Sequence, residues 1–396
     1  SMKKIAISLL IVLFAIFASF YIQLNQLKNS IADRLAQYDI QVHDFSLSLL
    51  PQPMVNLSGL TYHQLSAENI EAKFALFPLF SGNPILKEVQ ITHFKLSEQA
   101  LNHTNIHGRF TDFSLKNIFN QNIAFKGESA ITLSLDKPLY GTNTQYQFAF
   151  SKGNINLNHQ GKNLIQFVNA RLNQQPLGYI ETYVDFSKPV KTVNAYLQPD
   201  CQNCLATFKF SHKELQSAVN FSGKNFPMAQ LIALLNFPNT LTGNTDFNIQ
   251  LALTNSELTK GEFYFDAKNG EILGLNLLDM AAQYLPINYN SDLTSSRNMN
   301  TSYERLESRL SFENHLLKVD KMNLKTTALL ADGSGAIDLD NVQCDVNLTL
   351  RSTNEKYKKL ALPIRFFDSC YSPQYKVNID QNFRHQLKEL IKEKLK

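Results

Sequence analysis

After Lys3 and Lys4 the chain is apolar from residue 5 to residue 24, interrupted only by Ser8, Ser19, Tyr21 and Gln23. Twenty helical residues at about 1.5 Å each span roughly 30 Å, the thickness of a bilayer's hydrocarbon core, so the pattern predicts a transmembrane anchor over 1–24. A cleaved signal peptide would have a shorter apolar region and a small-residue exit, and neither is present. The lysines ahead of the span and Tyr21 at its far edge predict a cytoplasmic N-terminus in a single-pass membrane protein, with the bulk of the chain on the other side. Leu27, Ile31 and Leu35 then recur at a spacing of four, which predicts a helical extension over 25–40. From Gln41 the period changes to two: Phe45, Leu47 and Leu49 alternate with Asp44, Ser46 and Ser48, until Pro51-Gln-Pro53 closes the segment.

Alternation continues along the body, predicted over 41–382. Its apolar positions include Ile131, Leu133 and Leu135; Tyr146, Phe148 and Phe150; Phe208 and Phe210; Phe247, Ile249, Leu251 and Leu253; Phe263 and Phe265; and Val346, Leu348 and Leu350. Ser, Thr, Asn, Gln and Lys fill the alternate positions, the signature of antiparallel strands with one face turned from water. Ser151-Lys-Gly-Asn154, Gln160-Gly-Lys-Asn163 and Asn269-Gly270 read as turns. Helices are predicted only over 226–236, which has Pro227 at its start, over 275–285, ended by Pro286, and over 383–396. The last is basic and amphipathic, suited to packing on the body, to a solvated tail or to an anionic membrane surface. The stretch 288–300, poor in large apolar residues, reads as a mobile loop. Shut between two sheets, the apolar face would be a sandwich core; on a sheet that curls without closing, it would be a trough able to hold acyl chains. Periodicity alone allows both.

Composition narrows the functional classes. The 28 Phe and 15 Tyr rule out a disordered chain, and a net charge of +4 with no arginine-rich block argues against nucleic acid. No phosphate-binding loop, G-x-S-x-G or H-E-x-x-H occurs. His103 and His107 have metal-compatible spacing only on a helix, which Thr104, Asn105 and Gly108 disfavour. Asp332-Gly-Ser-Gly335 with Asp338 and Asp340 superficially looks like a calcium loop, lacks its terminal Glu, and reads as a glycine turn entering a strand. No catalytic residue, metal or cofactor is therefore expected. Four cysteines suit an oxidising compartment and allow three connectivities. Cys201 and Cys204 are expected to bridge locally, since no redox-type βαβ pattern surrounds them, and Cys344 and Cys370 lie in strand-like segments that could be neighbours.

Three stretches are similar to the AsmA family of Gram-negative envelope proteins. The first is the apolar span followed by Phe45-Ser-Leu-Ser-Leu-Leu-Pro51 and Leu57-Ser-Gly-Leu60. The second is Ala67-Glu-Asn-Ile-Glu-Ala-Lys-Phe-Ala-Leu-Phe-Pro-Leu-Phe-Ser-Gly82 leading into Ile85-Leu-Lys-Glu-Val-Gln-Ile91. The third runs from about Gly261 through Gly270-Glu-Ile-Leu-Gly274, residues 301–310 and Gly333-Ser-Gly-Ala-Ile-Asp-Leu339 to Leu362-Pro-Ile364 and Pro373. Together they cover about the first 95 and last 140 residues, and their order along the chain carries the specificity. The resemblance implies a mainly β fold, an inner-membrane anchor followed by an elongated, curved antiparallel β-groove related to bridge-like lipid transfer proteins. It also implies phospholipids or other acyl-chain lipids as partners, and a part in phospholipid traffic or outer-membrane assembly. Thr301-x-x-Glu304 reads locally as a helix-opening capping box, whereas the family pattern makes it a strand, the reading adopted here. The alternative function is an assembly factor that engages outer-membrane components by strand addition at a sheet edge.

Overall fold

The computed structural model describes residues 2–37, 39–97, 102–116, 123–138, 143–156, 163–286 and 299–395. Helix α1 (Met2–Gln37) is continuous across the expected anchor and its extension, and it is long and apolar enough to cross a membrane. Everything after it is mainly antiparallel β. Contacts divide the chain into two compact units: Ser1–Lys137 with Thr144–Asp200 and Phe210–Ser217, and Pro138–Asn143 with Cys201–Lys209 and Ala218–Lys396.

The first unit is a meander. Its strands are β1 (Ile40–Ser48), β2 (Met54–Tyr62), β3 (Leu65–Phe74), β4 (Ile85–Phe94), β5 (Thr104–Ser114), β6 (Ile123–Leu135), β7 (Gln145–Asn156), β8 (Asn163–Leu172), β9 (Gln175–Asp185) and β10 (Lys191–Gln198). Each pairs with the next, and a short helix α2 (Leu76–Phe80) bridges β3 and β4. Because side chains alternate, the register stacks apolar residues in rows across the strands. One row runs Phe45, Leu57, Ile70, Ile91, Ile106, Leu133, Tyr146; the next runs Leu47, Val55, Ala72, Val89, Gly108, Ile131, Phe148, Leu172. The second row packs into a core with Phe74, Leu79, Leu86, Phe113 and Phe150, and one face of α1 joins it: Leu24 is fully buried there, with Ile16 and Leu27 against the same cluster.

Strands β11 (Leu205–Lys213) and β12 (Gln216–Pro227) contribute to both units. The second unit continues with α3 (Met228–Leu234), β13 (Asn244–Thr254), β14 (Glu257–Ile272), α4 (Leu277–Ala282), β15 (Thr301–Glu313), β16 (Leu316–Lys325), β17 (Leu329–Asp338), β18 (Gln343–Ser352), β19 (Leu362–Ser369), β20 (Gln374–Val377) and α5 (Gln381–Leu395). From β13 to β20 each strand again pairs with the next.

The expected strand from Thr301 forms, while three expected turns do not. Thr301 opens a strand: its hydroxyl accepts from the Leu277 N–H at 2.8 Å and donates to the Leu275 carbonyl at 2.5 Å, so it serves the entry of α4 and leaves its own segment extended. Three predicted turns are strand interior. Ser151-Lys-Gly-Asn154 lies within β7, and Asn269-Gly270 lies within β14, where Asn269 adopts φ +53° and a Cβ on Gly270 would stand 2.0 Å from the Thr242 carbonyl oxygen. Asp332-Gly-Ser-Gly335 lies within β17; Gly333 is there because Leu348 on β18 occupies the space, 2.4 Å from where its Cβ would be. At Gly270 and Gly333 glycine answers a close approach of neighbouring groups rather than a reversal of the chain. The stretch 288–300, apart from its last two residues, and the Gln160-Gly-Lys signal lie outside the described residues.

Candidate functional site

In the second unit the register aligns four apolar rows across the sheet. The row nearest the start of β13 is Ala267, Leu306, Leu324, Ala331, Leu350, Leu362, all buried. Helix ends are pinned at this end: the Met228 N–H donates to the Gly243 carbonyl at 2.7 Å, and the Ala361 N–H to Gln386 Oε1 of α5 at 3.2 Å. At the opposite end Phe312, Leu317 and Leu339 form a second buried cluster, which Phe237, just past α3, also touches. The two central rows differ. They read Phe247, Phe265, Ser308, Met322, Gly333, Leu348, Ile364 and Ile249, Phe263, Leu310, Val319, Gly335, Val346, Phe366. Phe247 and Ile249 on β13 are buried, as are Leu348, Ile364 and Phe366 on β18 and β19, but Phe263, Phe265, Leu310, Met322 and Val346 between them are only half-buried. Ser308, Gly333 and Gly335 stand in the same rows, with Leu348 packed over Gly333 and Val319 buried, so the middle of the face is unevenly covered, with half-buried side chains beside buried ones.

The opposite face of these strands is polar. Arg305 bonds Asp266 at 3.0 and 3.2 Å, and Arg365 bonds Asp345 at 2.9 and 3.1 Å. The Arg365 guanidinium holds the Asp345 carboxyl below its ordinary range, consistent with a solvated salt-bridged surface.

Of the fourteen positions the sequence marks as lipid-facing, Phe150, Phe247, Ile249 and Leu253 are buried and belong to closed core. Ile131, Leu133, Leu135, Tyr146, Phe148, Phe208, Phe210, Leu251, Phe263 and Phe265 are half-buried. In the first unit Leu133 and Tyr146 continue the half-buried row that begins at Phe45; Phe148 and Ile131 lean on the core cluster. The sequence reading passed over Leu310 and Met322. Met322 follows a register shift between Val319 and Met322 that breaks strict alternation.

The polar chemistry is structural. Cys201 is bonded to Cys204 and Cys344 to Cys370, with Cα–Cα separations of 5.6 and 5.2 Å, and no cysteine is free. His103 precedes β5 and pairs with Asp136, while His107 within β5 pairs with Glu88 at 2.5 Å, so the two histidines serve different carboxylates. Those hydrogen bonds are the main cause holding the Glu88 and Asp136 carboxyls below their ordinary range. Among the described residues no group of His, Cys, Asp or Glu is arranged to hold a metal ion.

A long apolar N-terminal helix packed onto an antiparallel β body with half-open apolar faces is the class that fold and site define. Over 396 residues, the whole of both chains, the sequence is 43% identical to an uncharacterized protein of Haemophilus influenzae, and it belongs to the same family. No family model matches the chain.

Proposed function

We propose that the protein is a non-enzymatic, inner-membrane-anchored lipid-binding protein of the AsmA type, with its body in the periplasm, that takes part in phospholipid transport or homeostasis between the inner and outer membranes. The observation that carries this reading is the half-buried centre of an otherwise well-covered apolar face in the second unit: Phe263, Phe265, Leu310, Met322 and Val346 on β14, β15, β16 and β18. A core that served stability alone would gain by covering these side chains. An acyl chain laid across them would gain about 0.8 kcal/mol for each methylene it buries. The two disulfides suit an oxidising compartment outside the cytoplasm, and Lys3 and Lys4 suit a cytoplasmic N-terminus. The alternative, an assembly factor acting by strand addition, is less favoured because the last strand, β20, offers only four residues of ladder.

The test is lipid retention. Full-length protein extracted in mild detergent should carry phospholipid detectable by mass spectrometry. Phe265→Asp and Phe148→Asp should remain folded and lose that lipid, because a charge would lie where acyl chains rest, while Gln250→Lys on the polar face should retain it. Lipid-free wild-type protein, together with unfolding of both Asp variants, would mark these faces as closed core and move the assembly-factor reading to first place.

A further inference from the structure

The end of the first unit beside α1 carries exposed apolar side chains. The turn after β1 leaves Leu50 72% exposed; in α2, Phe77 is 81% exposed, and Leu76 and Phe80 are exposed too. These two connections share one end of the sheet, since the Phe74 N–H donates to the Pro53 carbonyl at 2.9 Å and Met54 pairs with Lys73. Elsewhere on this unit's sheet the large apolar side chains are mostly buried or half-buried, with Val168, Val190 and Tyr196 on later strands as scattered exceptions. Four together at one tip make a patch, and a patch of that kind marks an interaction surface.

Its height relative to α1 identifies the partner. The Gln23 side chain donates to the Phe80 carbonyl at 2.6 Å, which ties α2 to the helix at that level. Ile16 and Leu24 both pack against the cluster that contains Leu79 of α2. Strand geometry gives the same answer independently. β1 runs back alongside α1, with Lys28 Nζ 5.5 Å from the Phe45 ring centroid. Eight steps of about 3.4 Å from Ile40 to Ser48 cover roughly 27 Å, the length of about 18 helical residues, which returns the chain from Gln37 to near residue 19. The exposed tip is therefore level with residues 16–24, the last ~12 Å of the apolar span.

We infer that this tip is a membrane-inserted collar: Leu50, Leu76, Phe77 and Phe80 sit in the hydrocarbon of the leaflet on the body's side, around the exit of α1. Lys28, one turn beyond Leu24, then stands at the height of lipid phosphates. The inference rests on α1 crossing the bilayer, a part of the proposed function, and the experiment separates the two.

All four native cysteines are paired, so one added thiol can be labelled selectively. Full-length Phe77→Cys, Leu50→Cys, Leu13→Cys and Gln64→Cys, each carrying an environment-sensitive fluorophore, are reconstituted into phosphatidylcholine vesicles containing doxyl-labelled phosphatidylcholine. Leu13 reports on the span itself and Gln64, in the exposed hairpin at the far end of β2 and β3, on a watery site. The collar requires the labels at 77 and 50 to be quenched by doxyl lipid several-fold more than the label at 64, and to be shielded from aqueous iodide. Labels at 77 and 50 that behave like 64 while 13 is lipid-quenched overturn the collar and leave the anchor standing. If 13 is also open to iodide, the anchor and the collar fall together.

Discussion

Tyr303 offers a quantitative test of how the second unit is closed. The residue is 4% exposed, and its hydroxyl donates to the Thr242 carbonyl, between Gly243 and Gly270, where a Cβ would come within 2.5 and 2.6 Å of the phenolic oxygen. Removing the hydroxyl in Tyr303→Phe leaves the Thr242 carbonyl unpaired in a confined space, a loss of about 1–3 kcal/mol at pH 8. Burial also pushes the Tyr303 phenol from 10.0 up to about 12. A phenol whose pKa is raised on folding contributes its full stability below pH 10 and loses it as pH climbs to the folded value. Two pH units at about 1.36 kcal/mol each give a loss on the order of 3 kcal/mol between pH 10 and 12. The variant has no such group, so the advantage of wild type over Tyr303→Phe should vanish across that window. Urea unfolding of the full chain in detergent, read by pulse proteolysis of peptides from β13 to β15, measures the difference directly. A wild-type advantage that stays constant from pH 9 to pH 12 would refute the reasoning, because the phenol would then have to be in contact with water.

In the first unit, Phe150→Ala should cost about 3–5 kcal/mol, since the ring is fully buried with its centroid 4.7 Å from that of Phe167, whereas Phe148→Ala should cost less; thermal unfolding ranks the two, and equal losses would argue against the half-open face. Non-reducing peptide mapping should recover Cys201–Cys204 and Cys344–Cys370 as the only cross-links, and Cys370→Ser, which opens a loop of sequence separation 26, should lower stability by roughly 3–4 kcal/mol on the chain-entropy account. Lys191 is 1% exposed, and desolvation holds its ammonium below the ordinary lysine range. Folding therefore penalises the charged form. Lys191→Met should raise the melting temperature at pH 7, by about 1–3 kcal/mol in stability, with the gain shrinking as pH rises toward 10.5, where the unfolded lysine also discharges; a gain independent of pH would contradict the burial argument.

The long-range outline was legible in the sequence because its signals are periodic. An apolar run of twenty residues and repeated alternation need no knowledge of partners, and the Leu27, Ile31 and Leu35 spacing foretold that α1 would continue past the apolar span. What misled were residues whose reason is a neighbour far along the chain. Gly333 reads as a turn until Leu348 is placed against it, and Asn269-Gly270 reads as a hairpin until the Thr242 carbonyl arrives beside Gly270. The candidate face divided in the same way. Alternation named Phe247 and Ile249 together with Phe263 and Phe265, but only tertiary packing, such as the Phe221 and Phe226 rings 4.9 and 5.7 Å from that of Phe247, decides that the first pair is shut in and the second left half-open. The short helix α2 was hidden inside a stretch that reads as a turn between strands.

The burial of Leu24 and the packing of Ile16 and Leu27 on the sheet core have a mechanical consequence. The helix is keyed to the body in azimuth as well as in height, with no swivel between them. A single residue inserted between Leu27 and Ile31 would turn everything N-terminal to it by about 100° and shift it by about 1.5 Å, withdrawing Leu24 from its socket, whereas a full seven-residue insertion would nearly restore the angle. The body therefore cannot tumble on its stalk. The first unit thus keeps one fixed bearing to whatever surrounds α1, and the same edge of its sheet always faces that side.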